Sequence, residues 1–245
     1  MISHNGLYSV NSSPSTIIVM CGRYTLHQKV DDLAQHYNLA SEPSDIHDNY
    51  NVAPGQIMPV VTHDGTNRKL ELMKWGLIPA WAKDPTIGYR LINAREDSIF
   101  DKPLWRNLVL RKRALVPADG FYEWQKPAEP KGRKQPYYIH PKRISLFSFA
   151  GVWETWEDAE GKEWKTYSII TTEPNKEMAE IHNRMPVILY PEDETDWLEP
   201  TIVDRINLEP LLRPLEDHGL DMNKVSEDVN STSNNYQGLI FSLTG

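Results

Sequence analysis

Residues 113–125 read RALVPADGFYEWQ, two short apolar runs on either side of an Asp-Gly pair. The runs at 113–117 and 120–125 predict two strands, because aromatic and branched side chains favour strands and Asp-Gly favours turns. Runs of the same kind lie at 57–62, 69–75, 136–140, 145–153 and 165–171. Proline, glycine and aspartate clusters separate several of these runs, as expected for strands joined by defined turns.

Helices are fewer and shorter in the predicted order of elements. Val30, Leu33, Ala34 and Tyr37 recur at helical spacing, which predicts a helix over 29–39. Further helices are predicted at Leu104–Leu110, Pro174–Ile181, Pro191–Leu198 and Asp204–Leu212, and a loop at 226–236. Strands therefore dominate without strict alternation with helices. This pattern predicts an α+β fold with a mixed or antiparallel sheet curled toward a barrel. No GxGxxG or P-loop follows a strand, so we expect no nucleotide cofactor.

Composition limits the domain organisation and the cellular compartment. Residues 1–20 are polar and lack periodicity, so we expect a disordered extension, a propeptide or a misassigned start, followed by a single domain at 21–240. One cysteine among 245 residues rules out an internal disulfide. No apolar run is long enough for a membrane span, and the opening segment lacks a basic region typical of a signal peptide. We therefore predict a cytoplasmic protein with no membrane partner. We also expect a monomer of bacterial type that associates with the nucleoid when it is bound to DNA.

Charge is distributed unevenly along the chain. The net charge is −8, which alone argues against a nucleic-acid partner. Residues 83–143, however, carry 14 Lys and Arg against 7 Asp and Glu, whereas residues 150–245 carry 7 against 20. A basic segment within an acidic chain is compatible with a local positive groove for nucleic acid. A solvated basic face is an equally good interpretation of charge alone.

The single cysteine lies in the sequence Met-Cys-Gly-Arg at residues 20–23. A lone cysteine is most often a small buried apolar residue. If removal of Met20 exposes Cys21, however, the residue carries an amine and a thiol on adjacent carbons. An α-amine with a pKa of about 7.7–8.0 is partly neutral near pH 7 and attacks aldehydes to form a Schiff base. The thiol can then close on the imine carbon as a thiazolidine ring, which an internal cysteine cannot form.

Other catalytic classes have weaker support. The cysteine and eight histidines show no CxxC, HExxH or HxH spacing, so we predict no metal site. A serine hydrolase is disfavoured because no GxSxG motif occurs. A cysteine–histidine protease remains open, with Cys21 and one histidine.

Several motifs place polar residues beside apolar strand residues. The segments NVAPG at 51–55, INARE at 92–96, ADGFYEW at 118–124 and IHNRMP at 181–186 are of this kind. Each polar residue alone has a structural interpretation: Asn93 as a turn residue, Glu123 as an exposed strand residue and His182 as a helix cap. Together with MCGRY, KWGLIPAW and KQPYYI, in this order, the motifs resemble the SOS response-associated peptidase (SRAP) family of abasic-site processing proteins. The resemblance extends from Cys21 to about Asn230.

The resemblance implies a mixed fold around a barrel-like core, self-processing that exposes the cysteine, and a thiazolidine crosslink to abasic sites in single-stranded DNA. It implies that Cys21 is the crosslinking nucleophile and that Asn93 holds this cysteine and the opened sugar. Glu123 is then the general acid and base, and His182 helps to open the deoxyribose ring. It also suggests a role in the SOS response and lyase activity.

The same resemblance implies a set of DNA contacts. Arginine forks suit phosphates, and tryptophans are candidates for stacking on bases that flank the lesion. A packed core position is an equally good interpretation of Trp75, but it is less favoured for Trp81. The predicted DNA-binding residues are Arg23, Trp75, Trp81, Arg95, Thr171 and Arg184.

Two features depart from the family pattern. Nineteen residues precede Met20, whereas the family has its cysteine directly after the initiator methionine. The segment 223–226 also lacks a proline that is frequent before the family's Val-Ser. Two other functions remain open: a peptidase that acts on other proteins through Cys21, His182 and Glu123, and a single-stranded DNA sensor that forms no covalent bond.

Overall fold

The computed structural model describes residues 21–39, 46–127, 129 and 132–243. The predicted extension at residues 1–20 lies outside this range. The strands within it are β1 (Tyr24–Leu26), β2 (Asn49–Val52), β3 (Ile57–His63), β4 (Arg68–Trp75), β5 (Asn93–Arg95), β6 (Arg113–Ala118), β7 (Gly120–Gln125), β8 (Gln135–Pro141), β9 (Phe147–Glu157), β10 (Glu163–Thr172), β11 (Met185–Pro186), β12 (Ile188–Leu189) and β13 (Leu220–Lys224). The α-helices are α1 (Val30–Tyr37), α2 (Glu96–Ile99), α3 (Pro103–Arg111), α4 (Lys176–Ala179), α5 (Asp193–Leu198) and α6 (Arg205–Leu208). Shorter 3-10 helices span Pro85–Arg90, Glu209–Leu211, Glu227–Asn230 and Gln237–Ile240.

Five strands close into a barrel. β3 pairs with β4 and β6, β6 pairs with β9, and β9 pairs with β10, all antiparallel. β10 then pairs with β4 in parallel, which closes the ring. Every residue of β6 is buried, because both faces of this strand are covered. Closure pairs the strand edges, which stabilises a sheet of short strands.

Three short strands, β5, β11 and β12, extend the sheet that forms the barrel. β5 pairs in parallel with β10, with Asn93 opposite Ile169 and Arg95 opposite Thr171. β11 also pairs with β10, and β12 pairs with β9. β10 therefore positions both the INAR segment and β11, which is formed by the last two residues of the IHNRMP motif.

A second sheet packs against the barrel. Its strands lie in the order β13-β8-β7-β1-β2. Tyr24 of β1 and Phe121 of β7 contact Phe149 of β9 edge to face, at centroid distances of 5.9 and 6.0 Å. The Tyr24 and Tyr167 hydroxyls are joined by a hydrogen bond of 2.7 Å. One apolar cluster thus includes residues of both sheets, and it holds β1 and β7 in place over the barrel.

The fold class predicted from the sequence is confirmed, and so are the seven predicted strands and the helix over 29–39. The helices predicted at Pro174–Ile181 and Asp204–Leu212 are shorter than expected, and the second continues as a 3-10 turn. Six strands were not predicted because each is only two to five residues long: β1, β2, β5, β11, β12 and β13. No helix in the described part of the chain is long and apolar enough to cross a membrane.

Candidate functional site

Cys21 lies just before β1, and only 4% of it is exposed. Its φ of 45° is in the left-handed region, which is uncommon for a residue with a Cβ atom. The backbone nitrogen of Cys21 donates a hydrogen bond of 2.6 Å to Oε1 of Glu123. β1 pairs antiparallel with β7, with Tyr24 opposite Phe121. This pairing brings Cys21 and Glu123 together from positions far apart in the chain.

Glu123 is a buried carboxyl group, with 3% of the residue exposed. Strand alternation places its side chain on the same face of β7 as Phe121, which belongs to the main apolar cluster. Burial raises the pKa of Glu123, against the opposing effects of His182 and of the hydrogen bonds with Cys21. The carboxyl group therefore titrates closer to neutrality than an exposed glutamate, as suits a group that exchanges protons.

The pKa of the Cys21 thiol is shifted in the opposite direction to that of a cysteine that reacts as a thiolate. Burial raises the pKa of this thiol well above its usual value, and Glu123 raises it further, while Arg184 opposes the shift. The space beside it, bounded by Tyr24, Phe121 and Phe149 among others, is too small for a water molecule. The thiol is therefore protonated and shielded from water in this structure.

His182 follows α4, and its backbone nitrogen donates to Met178 O at 2.8 Å. Its ring is half-buried, and Nδ1 accepts a hydrogen bond of 3.2 Å from the backbone nitrogen of Arg184. Nδ1 also lies 3.4 Å from the carbonyl oxygen of Arg184, so the hydrogen bond that this nitrogen makes depends on the tautomer of the ring. His182 also lines a cavity of about 310 Å³ with Gln125 and Asn183. His182 lowers the pKa of Glu123 against the larger effect of burial, so these two side chains interact electrostatically.

Asn93 begins β5 and is half-buried. The pairing of β5 with β10 fixes its backbone, and Ile169 N donates to Ile92 O at 3.0 Å beside it. Alternation along β5 places Asn93 and Arg95 on one face, while Ala94 points into the core with 1% exposure. The INAR segment therefore presents an amide and a guanidinium group from the same face of a strand.

Arg95 of the INAR segment and Arg184 both form ion pairs with carboxylates. Arg95 is exposed, and its Nη2 lies 2.5 Å from Oδ2 of Asp97. Arg184 is buried, with Nη2 2.5 Å from Oε2 of Glu96 and Nη1 3.5 Å from Asp97 Oδ2. Arg184 also donates to the carbonyl and hydroxyl oxygens of Thr171. Thr171 is fully buried and donates to Ala94 O, so its hydroxyl group makes its hydrogen bonds inside the protein.

Arg23 links β1 to the C-terminal segment. Its Nη1 donates to Asn51 Oδ1 and to Val229 O, each at 2.7 Å. Asn51 in turn donates to the carbonyl oxygens of Ser231 and Asn234, both at 2.9 Å. The Arg23 fork predicted to contact phosphate is thus used within the protein in this structure.

The two tryptophans of KWGLIPAW have contrasting positions. Trp75 is 1% exposed, stacks on Tyr167, and donates from Nε1 to Ile92 O at 3.0 Å. Neither face of its ring is open to a base, which favours the packed core position for this residue. Gly76 follows with a φ of 113°, and a Cβ there would lie 2.8 Å from Gly88 O. This tight turn leads into the loop that carries Trp81, which is 71% exposed.

The site also contains residues that sequence reasoning did not single out. Glu96 and Asp97 directly follow Arg95 and hold the two arginines, although neither was assigned a role from the sequence. Asn51 lies in the NVAPG motif, but its function as a hydrogen-bond hub became evident only from the fold. Within the described ranges, no group of three or more His, Cys, Asp and Glu side chains is arranged to hold a metal ion.

Comparisons with known proteins connect this geometry to a family. A family model described as "SOS response associated peptidase (SRAP)" matches residues 20–232. The abasic site processing protein YoqW of Bacillus subtilis is 44% identical over 223 residues, which cover 90% of this chain and 99% of that protein. The abasic site processing protein HMCES of Xenopus tropicalis is 33% identical over 217 residues, which cover 76% of this chain and 63% of that protein.

Solved structures show the same architecture. A protein from Bacteroides thetaiotaomicron superposes with a TM-score of 0.83 at 30% identity, covering 91% of this chain and 100% of that chain. A phage-related protein from Bordetella bronchiseptica superposes with a TM-score of 0.68 at 28% identity, covering 84% and 95%.

Proposed function

Because this chain belongs to the SOS response-associated peptidase (SRAP) family, we propose that it processes abasic sites in single-stranded DNA by forming a covalent bond through Cys21. The observation that carries the proposal is the hydrogen bond of 2.6 Å between the Cys21 nitrogen and the Glu123 carboxyl group. It places a buried proton acceptor directly on the atom that must become the nucleophile. The relatives named as abasic site processing proteins supply the class of substrate.

The first step exposes the amine. While Met20 is attached, the Cys21 nitrogen is the amide of the bond to be cleaved, and it lies within hydrogen-bond distance of Glu123. A neutral Glu123 carboxyl group can protonate this nitrogen as the peptide bond to Met20 breaks, which makes the amine a better leaving group. The oxygen of a water molecule bonds to the carbonyl carbon of Met20 as the C–N bond breaks, and the proton that this water loses restores the Glu123 carboxyl group. The released product, residues 1–20 of a propeptide or Met20 alone, therefore ends in a carboxyl group. Self-processing therefore uses the same carboxyl group as the later chemistry.

The second step captures the lesion. The free amine of Cys21 adds to C1′ of the ring-opened deoxyribose aldehyde, and loss of one water molecule gives an imine. The thiol sulfur then bonds to the imine carbon while its proton moves to the nitrogen, which closes a thiazolidine. Glu123 exchanges protons with the nitrogen, His182 assists sugar ring opening from Nε2, and Asn93 positions the opened sugar. A protonated thiol is compatible with this order, because the amine rather than the thiolate attacks first.

We also propose that Arg95 and the exposed Trp81 contact the DNA strand on either side of the site. The basic segment 83–143, which includes Arg95, provides the charge that attracts phosphates. Trp81 is the exposed aromatic side chain of the KWGLIPAW motif and suits stacking on an unpaired base. A role in the response to DNA damage follows from this substrate.

A peptidase that acts on other proteins is the second candidate, and the site favours it less. Cysteine peptidases use a thiolate whose pKa is lowered by a neighbouring cation. The Cys21 thiol has a raised pKa, caused first by burial and then by the carboxylate of Glu123. Incubation with a panel of unfolded proteins tests this candidate, and cleavage that requires Cys21 would support it over crosslinking.

The test of the proposed function mixes the protein with a single-stranded oligonucleotide that carries one abasic site, followed by a denaturing gel without borohydride. We expect a shifted band for the wild-type protein and none for Cys21→Ala. Cys21→Ser should leave at most a labile adduct, and methoxyamine, which blocks the aldehyde, should remove the band. A sensor that forms no bond would give no band with any variant, and an unchanged band with Cys21→Ala would contradict the mechanism.

A further inference from the structure

One carboxylate oxygen lies between two arginine side chains at the end of β5. Oδ2 of Asp97 is 2.5 Å from Arg95 Nη2 and 3.5 Å from Arg184 Nη1. Glu96 binds the other side of the Arg184 guanidinium at 2.5 Å. The chain passes from β5 directly into α2 at this point, so consecutive residues supply a cation and two anions.

The pair of Arg95 and Asp97 is accessible, whereas the pair of Arg184 and Glu96 is not. The Arg95 and Asp97 side chains are 54% and 43% exposed, but that of Arg184 is only 8% exposed. The hydrogen bond from Arg95 also lowers the pKa of Asp97, so this carboxylate stays charged at neutral pH. Exposed ion pairs are weak and exchange partners readily, since water and salt screen them.

We infer that Asp97 is a specificity-determining residue that occupies the phosphate position on Arg95 and must be displaced when DNA binds. This inference rests on the proposed function. The Asp97 carboxylate oxygen carries negative charge and accepts from the Arg95 guanidinium the same kind of N–H hydrogen bond that a phosphodiester oxygen accepts. Binding of a strand therefore exchanges the Asp97 contact of Arg95 for a phosphate contact.

The exchange lowers the affinity of the protein for every strand, whether or not the strand carries a lesion. Covalent capture by Cys21 is not reversed by the same competition. Asp97 thus shortens the time that the protein spends on intact DNA, while crosslinks at abasic sites persist. Selectivity for lesions arises from the difference between weak reversible binding and covalent capture.

The test measures fluorescence anisotropy of a labelled single-stranded oligonucleotide without an abasic site. Asp97→Asn keeps the shape of the side chain and removes its charge, and we expect the affinity to rise about two- to fivefold, the range that corresponds to an exposed ion pair. Asp101→Asn is the matched control. It changes the net charge equally and lies four residues away, but its carboxylate pairs with Arg205 at 3.3 Å. We expect a clearly smaller gain for the control.

A double-mutant cycle separates competition for Arg95 from general repulsion of DNA. The gain from Asp97→Asn should shrink in an Arg95→Ala background, whereas simple repulsion would keep or enlarge it. Asp97→Glu, which retains the charge, should bind like the wild-type protein, and melting temperatures verify that each variant is folded.

Equal gains for Asp97→Asn and Asp101→Asn, or an undiminished gain without Arg95, would overturn the inference and leave the proposed function intact. If the folded wild-type protein binds no single-stranded DNA at low salt, the proposed DNA binding fails and the inference fails with it.

Discussion

Replacement of Glu123 by glutamine removes a titratable group and changes little else. Glutamine has nearly the same volume, and its amide oxygen can still accept the hydrogen bond that the Cys21 nitrogen donates at 2.6 Å. Glu123 is 3% exposed, so water cannot easily replace the lost proton acceptor. General acid–base catalysis contributes about 100- to 10,000-fold to a rate. We therefore expect Glu123→Gln to slow crosslinking by at least about a hundredfold.

The assay is a single-turnover time course with the protein in excess over an abasic-site oligonucleotide. Protein that already begins at Cys21 is used, so that slow self-processing does not limit the rate. Glu194→Gln is the matched control, since Glu194 is equally buried but binds Ser148 and His36 instead. It should affect stability and leave the crosslinking rate unchanged. A rate for Glu123→Gln within about threefold of the wild-type rate would refute the assigned role.

Arg95→Ala should weaken binding to all single strands alike and reduce the slope of log affinity against log salt by about 0.7, measured by anisotropy titrations; a loss confined to certain sequences would contradict a phosphate contact. Trp81→Ala should cost about 1–3 kcal/mol of binding free energy with little change in stability. Trp75→Ala should instead cost about 3–5 kcal/mol of unfolding free energy in urea titrations, and near-native stability would contradict its core position. The raised pKa of Glu123 means that the folded state binds its proton more tightly than the unfolded state does. Wild-type stability relative to Glu123→Gln should therefore be greatest at acidic pH and decrease as the pH rises through the folded-state pKa, and a difference that grows with pH in thermal melts would reverse the sign.

The strands of the barrel could be predicted from the sequence because their burial is encoded locally. β6 and β9 are apolar over most of their length, and the intervening turns contain proline, glycine or aspartate. Closure of the barrel could not be predicted in detail. It depends on the parallel pairing of β4 with β10, which are far apart in the chain. No local pattern specifies the register of that pairing.

The candidate site was only partly predictable for the same reason. The motifs identified Glu123 and Cys21 as candidates, but their contact arises from the pairing of β1 with β7. The sequence disfavoured a core position for Trp81 but left Trp75 undecided, and only the fold shows that Trp75 is buried whereas Trp81, beyond the turn at Gly76, is exposed. Asp97 resembles any surface carboxylate in the sequence, and only the structure shows that it lies between two arginines.

The central claim is that Cys21, as an N-terminal residue, closes a ring on the sugar aldehyde. Intact mass spectrometry of the adduct with an abasic-site oligonucleotide tests it most directly. We predict a protein that begins at Cys21 and is joined to the oligonucleotide with the loss of one water molecule, in an adduct that is stable without reduction. An adduct that retains residues 1–20, or an imine that is trapped only by borohydride, would contradict the account.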